Sequence, residues 1–174
     1  MATWTIDPAH SEIGFKVKHL VISTVSGKFN SFEGKLVGDI EDFANTKIYF
    51  SADIDSIHTG NDQRDGHLKS ADFFDSAAHP KLTFESTSIE KKGDDYKVNG
   101  NLTLKGITKP VSLDAEFGGV EKSLYGQTVA GFEVTTKINR RDFGLTWNAV
   151  TEAGGVVVGD EVKLAANLEL IKQD

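Results

Sequence analysis

An all-β fold of antiparallel strands is what this sequence predicts, on three observations. Apolar and polar residues alternate with period two in several separate stretches, short glycine-bearing turns fall between them, and one segment alone breaks the rhythm. The first stretch sets Ser11, Ile13, Phe15, Val17 and His19 against Glu12, Lys16 and Lys18. The second sets Ile48, Phe50, Ala52 and Ile54 against Tyr49, Ser51, Asp53 and Asp55, and a third begins near Lys81. Tyr96, Val98, Leu102 and Leu104 continue the pattern, then Val111, Leu113, Ala115 and Phe117, then Ala130, Phe132, Val134 and Ile138. The last run is the longest, with Val156, Val158, Val162, Leu164, Ala166, Leu168 and Leu170 on one face. One wet and one dry face per strand is the mark of antiparallel strands over a core.

The turns follow in order. Lys92-Gly93-Asp94-Asp95 and Lys105-Gly106 read as hairpins, Gly118-Gly119 as a strand end, and Gly154-Gly155 as a bare turn before the final strand. Loops this short favour up-and-down connectivity. The exception runs from Asn61 to Asp75. A helix capped by Asn61 brings Arg64, His67 and Leu68 to one side, Gly66 keeps it short, and Phe73 and Phe74 follow as a plug. No repeat or linker interrupts the chain, so residues 1–174 read as one domain.

With 174 residues and 39% hydrophobic content, the chain can bury one core. A net charge of −7, with no cluster of Lys and Arg, argues against nucleic acid as a partner. The absence of cysteine excludes disulfides, thiol catalysis and thiolate metal sites. The opening MATWTIDPAHSEIGF has no charged segment followed by an apolar run. No signal peptide is therefore expected, short of removal from a longer precursor, and the expected location is the cytoplasm. Nor does any stretch approach the roughly 18 apolar residues of a membrane span.

Catalytic and metal constellations are hard to assemble. His10, His19, His58, His67 and His79 show no ligand spacing along a strand, so neither a metal nor another cofactor is expected. Ser11 and His10, read as strand neighbours, would point to opposite faces. Asp53 and Asp55 share the wet face, and neither a nucleophile elbow nor a dinucleotide fingerprint occurs.

Many long strands in one open sheet leave two exposed edges, which closure into a barrel removes. A sandwich gives the same alternation, so periodicity leaves both open. Eleven Phe against three Tyr and two Trp suit a dry interior or an apolar ligand, and Gly14, Gly34, Ala52 and Gly100 leave space in it.

Four blocks carry a family resemblance. They are Asp7-Pro8-Ala9-His10-Ser11 with Ile13-Gly14-Phe15; Asn61 to Leu68 with Asp72-Phe73-Phe74-Asp75 and Pro80; Gly100 to Val111; and Asn139 to Leu145 with Trp147-Asn148 and Gly159 to Val162. In this order they resemble the YceI family of lipid-binding proteins from Asp7 to about Glu169. The resemblance implies an extended eight-stranded antiparallel, lipocalin-like barrel with a short helical insertion near residues 61–75. It further implies a pore for a polyisoprenoid or another long amphiphile and, as in many members, a homodimer. The missing export signal departs from the exported members and resembles a cytoplasmic branch.

A hydrocarbon tail gains about 0.8 kcal/mol per CH₂ removed from water, so ten carbons contribute roughly 8 kcal/mol before ordering costs. The candidate walls are Phe15, Val17, Phe50, Phe73, Phe74, Phe84, Phe132 and Trp147, residue types that plain core packing also demands. Arg64, Arg140 and Asn148 are candidates for a polar head group, since a guanidinium grips a phosphate or carboxylate with two hydrogen bonds. Arg64 could equally pin the insertion to the barrel. The expected function is carriage or storage of a long-chain lipid or isoprenoid. A small lipid-modifying enzyme and a ligand-free, stress-related structural barrel are the rivals.

Overall fold

The computed structural model describes residues 2–148 and 157–173; the Gly154-Gly155 turn and Val156 lie outside them. Among these residues eleven strand segments and one α-helix follow in order. They are β1 (Thr3–Ile6), β2 (Glu12–His19), β3 (Ser23–Phe29), β4 (Phe32–Val37), β5 (Lys47–Asp53), β6 (Ile57–His58), α1 (Asp62–Lys69), β7 (Lys81–Lys92), β8 (Asp95–Leu104), β9 (Ile107–Lys122), β10 (Thr128–Asn139) and β11 (Val158–Gln173).

These segments make eight staves of a closed antiparallel barrel. β1 and β2 run in succession along β11, from Thr3↔Gln173 to Val158↔His19, and so form one interrupted stave. β3 and β4 form the second, pairing with β2 and β1, and β5 with the short β6 forms the third. β7, β8, β9, β10 and β11 complete the ring, each beside its sequence neighbour. The up-and-down order is the one the short turns predict, and closure resolves barrel against sandwich.

One end carries α1, the segment 140–148 and the β2–β3 tip, and is called the helical end below. The other end carries the 3-10 segment Ile40–Asn45 and the turns β7–β8 and β9–β10. Asn61 caps α1 by accepting a hydrogen bond from the Arg64 N–H, as its sequence position predicts.

Two expectations need correction, and two strands have no counterpart in the sequence pattern. Gly118-Gly119 does not end a strand: β9 continues to Lys122, and the register against β10 shifts at Gly131/Phe132, so the glycines accommodate a bulge. β5 stops at Asp53, and Ile54–Ser56 is a 3-10 turn rather than the strand's continuation. β3 and β4 escape the alternation because inward positions hold glycine. A β-carbon on Gly27 would lie 2.4 Å from Cζ of Phe15, its partner in register, and one on Gly34 would lie 2.6 Å from Cδ1 of Ile6. The large neighbour fills the place of the missing side chain.

Burial around the ring is uneven. On β7 and β8 the inward residues Leu82, Phe84, Ile89, Val98, Leu102 and Leu104 are buried. On β2, on most of β11 and in the middle of β10 the inward residues Ile13, Phe15, Val17, Val134, Thr136, Val162, Leu164, Ala166 and Leu168 are only half-buried, whereas Ala130, Phe132 and Ile138 of β10 and Leu170 of β11 are buried. Side chains that face inward yet keep exposed surface border a hollow rather than a packed core.

Candidate ligand-binding site

A hollow of about 160 Å³ lies inside the barrel. Its wall takes Phe50 and Ala52 from β5, Leu82 and Phe84 from β7, Val98 and Leu102 from β8, and Val111, Leu113 and Ala115 from β9. Phe132, Val134 and Thr136 from β10 and Leu164, Ala166, Leu168 and Leu170 from β11 continue it. Ile6, Ile13, Phe29 and Leu36 close the ring. Of the residues at the wall, Lys35 and Tyr49 alternate with the inward set, and the Lys35 ammonium lies 5.3 Å from the centre of the Tyr49 ring. The interior facing is thus aliphatic and aromatic, with Thr136 as its polar exception.

Aromatic clusters cap both ends. Away from α1, Phe43 of the 3-10 segment Ile40–Asn45 is buried, with ring centres 4.7 Å from Tyr96 and 4.9 Å from Phe132. At the helical end His67 of α1 meets Trp147 at 4.7 Å and Phe73 at 5.0 Å, while Phe74 packs edge-on to Phe29.

Of the residues singled out in the sequence, Phe50, Phe84 and Phe132 border this hollow. Phe15 faces inward but folds over Gly27 and packs on Phe29 at 5.8 Å, and Val17 lies beyond it toward the helical end. Phe73, Phe74 and Trp147 belong to the cap. The polar candidates hold the main chain. Arg64 donates from Nε to the Thr59 hydroxyl (2.8 Å) and from a terminal nitrogen to the Thr59 carbonyl (2.7 Å). Its neighbour Asp65, buried, accepts from the Thr59 N–H at 2.9 Å. Together they pin α1 beside β6, through Thr59 rather than through an Arg–Asp pair.

Arg140 is 3% exposed and donates to the carbonyls of Leu145, Trp147, Gly159 and Val158 at 2.6, 2.9, 2.8 and 3.2 Å. Burial pulls its pKa below the usual guanidinium value, and Asp160, 3.7 Å away, pulls it back up. Asn148 accepts from the Val157 and Val158 N–H groups and donates to the Val158 carbonyl.

Of the wall residues that the sequence candidates did not include, Phe43 is the one delivered by no strand. It sits in an irregular segment where period two gives no signal. Trp4, 2% exposed, is a buried core residue outside the hollow's lining, and its indole Nε1–H has no acceptor among the described residues.

Outside the barrel, Asp7, His10 and Glu169 bring their possible metal-ligating atoms within 4.8 Å of one another. Hydrogen bonds explain the first two: Asp7 caps the turn by accepting from Ala9 N–H at 3.0 Å and meets His10 Nδ1 at 2.7 Å. His10 lies in this 3-10 turn rather than on a strand, and the Ser11 hydroxyl is engaged by the Glu169 N–H at 2.9 Å. The bond to Asp7 raises the His10 pKa above 6.5, and the bond to His10 lowers that of Asp7 below 3.8. The His10 contribution is full below pH 6.5 and is lost as pH rises through its raised value; the Asp7 contribution is full above pH 3.8 and is lost as pH falls through its lowered value. An NMR titration of His10 is expected to give a pKa above 6.5 that returns toward 6.5 in Asp7→Asn. An unchanged His10 titration in that variant would show that the pair does not form in solution.

Eight antiparallel staves around an apolar hollow define a lipocalin-like barrel. A YceI-like domain matches residues 4–170, and the chain belongs to that family. A UPF0312 protein of Staphylococcus aureus is 44% identical over 170 residues, covering 97% of both chains. Among solved structures, a YCEI protein of Campylobacter jejuni is 35% identical with a TM-score of 0.75, over 97% of this chain and 96% of that one. BcnA of Burkholderia cenocepacia, 23% identical, shares the fold with a TM-score of 0.82 over 94% and 98%. A polyisoprenoid binding domain from Saccharophagus degradans, implicated in plant cell wall breakdown, is 18% identical with a TM-score of 0.69 over 98% of both.

Proposed function

We propose that this protein binds, and carries or stores, a long-chain isoprenoid or fatty amphiphile with its tail in the barrel. The observation that carries this reading is the apolar hollow against a half-buried wall. A cavity of roughly 150 Å³ accepts benzene, so 160 Å³ takes a segment of about six carbons without rearrangement. Such a segment contributes about 5 kcal/mol at 0.8 kcal/mol per carbon. A longer tail lies along β2, β11 and the Val134–Thr136 stretch of β10, whose half-buried side chains move more cheaply than the packed ones of β7 and β8. Carriage rather than catalysis suits a hollow whose inward-facing lining residues, among those described, carry no titratable group.

Arg64 and Arg140 are engaged with the main chain, so a charged head group is not gripped inside; it stays at the solvent side. The test is mass spectrometry of an organic extract of the purified protein. A recovered long-chain lipid supports carriage and a chemically altered one supports catalysis. An extract with no lipid, together with no uptake of an added isoprenoid alcohol or fatty acid, overturns the proposal in favour of a barrel filled by its own side chains.

A further inference from the structure

The β2–β3 hairpin ends in Leu20-Val21-Ile22, three aliphatic residues that are 38%, 69% and 86% exposed. Leu20 and Val21 hold φ of +54° and +67°. That left-handed conformation suits Asn and Gly and is an outlier for a β-branched residue. This tip therefore keeps side chains that neither the core nor the local backbone asks for. Strain held against easy alternatives is a mark of functional sites.

A second observation lies on the outward face just behind it. Lys137 faces Lys163 in register, and Lys163 faces Lys16, so three lysines cross β10, β11 and β2 in one row. Like charges directly opposite one another repel, and none of the three joins an ion pair among the described residues. The row lines an outer groove of about 740 Å³, and the carboxylates of that groove, Glu12 and Asp114, lie on its side away from the tip. The next row toward the tip adds Lys18, against one free carboxylate, Glu161, because Asp160 is held by Arg140 and Arg141. This concentration occurs on a chain of net charge −7.

We infer that the β2–β3 tip and the lysine rows form a docking surface for a lipid bilayer with anionic headgroups. Apolar groups lead, and cations follow at the spacing a membrane requires. At about 3.3 Å per residue, Lys18 stands roughly 7 Å and the Lys16 row roughly 13 Å from Leu20. An interfacial layer about 5–7 Å thick and a Debye length of about 8 Å put both rows within the field of the surface once the tip reaches hydrocarbon. The half-buried inward residues Val17, Val25 and Val162 lie at this same end. Docking stands on the hairpin and the lysines alone, whatever the barrel holds.

Vesicle flotation of the full chain tests it, with phosphatidylcholine alone and with phosphatidylcholine mixed with phosphatidylglycerol. Wild type is expected to float with the mixed vesicles only, and to be released by salt. In Leu20→Asn/Val21→Gly the expected result is a melting temperature that is equal or a few degrees higher, an unchanged lipid extract, and loss of flotation. Lys16→Glu/Lys163→Glu is expected to weaken partition by more than about 25-fold, at about fivefold per lysine. Absence of wild-type flotation, or flotation unchanged in both variants, overturns the proposal. So does a dimer in sedimentation that Leu20→Asn/Val21→Gly converts to monomer without any vesicle binding, which would assign the tip to a second copy of the chain.

Discussion

Ala166→Phe is expected to abolish retention of an apolar ligand while leaving the barrel standing. Ala166 faces inward from β11, paired with Val134 of β10 on one side and Ile13 of β2 on the other, and borders the hollow. A phenyl ring is about what a cavity of this size accepts, so the variant places a covalent occupant where about six ligand carbons would lie. Losing those carbons removes about 5 kcal/mol at 0.8 kcal/mol each, or roughly three to four powers of ten in affinity. The melting temperature is expected to stay level or rise, because filling a void restores packing contacts. Ala166→Leu, with a smaller occupant, should fall between. Both lipid content of the purified protein and titration with an isoprenoid alcohol read the effect. Wild-type retention by a folded Ala166→Phe would mean that the tail does not lie in this hollow.

The same geometry explains what the sequence could and could not disclose. Period two is visible wherever inward positions hold large apolar residues, as in Val98, Leu102 and Leu104 of β8. It fades in β3 and β4, where Gly27 and Gly34 occupy inward positions, because the partner that fills their space is distant in sequence. The helix was legible from its cap: Asn61 followed by a short polar run has one simple local solution.

Site residues were less legible, for a different reason. Phe50, Phe84 and Phe132 border the hollow, whereas Phe15 and Phe73 pack elsewhere, yet all five are aromatic residues with nothing local to separate them. What separates them is the residue across from each: Gly27 invites the ring of Phe15, and Trp147 with His67 receives Phe73. Phe43 offers no periodic signal, because a 3-10 segment delivers it. A guanidinium suited to a lipid phosphate is equally suited to main-chain carbonyls, so Arg64 and Arg140 could be read either way until their partners were known.

Arg140→Ala should be among the most destabilising single substitutions in the chain. The side chain ties the segment leaving β10 to the start of β11 by donating to four carbonyls, those of Leu145, Trp147, Val158 and Gly159. Its removal takes this donor from the carbonyls of Leu145, Trp147 and Gly159 and leaves that of Val158 to Asn148 alone, and breaking such a charged network costs about 3–5 kcal/mol. Lysine cannot replace it: one ammonium on a flexible stem does not span four acceptors. Arg141→Ala is the internal comparison, since Arg141 is exposed and makes one side-chain ion pair, to Asp160 at 2.7 Å. An exposed pair of this kind contributes about 0–1 kcal/mol. Urea midpoints are expected to fall steeply for Arg140→Ala and Arg140→Lys and little for Arg141→Ala. The damage should concentrate at the helical end, where Trp147 joins Phe73 and His67 in the cap, and faster hydrogen exchange in α1 would report it. Wild-type stability in Arg140→Ala, combined with selective loss of a phosphate-bearing amphiphile, would instead return this arginine to the head-group role that its charge first suggests.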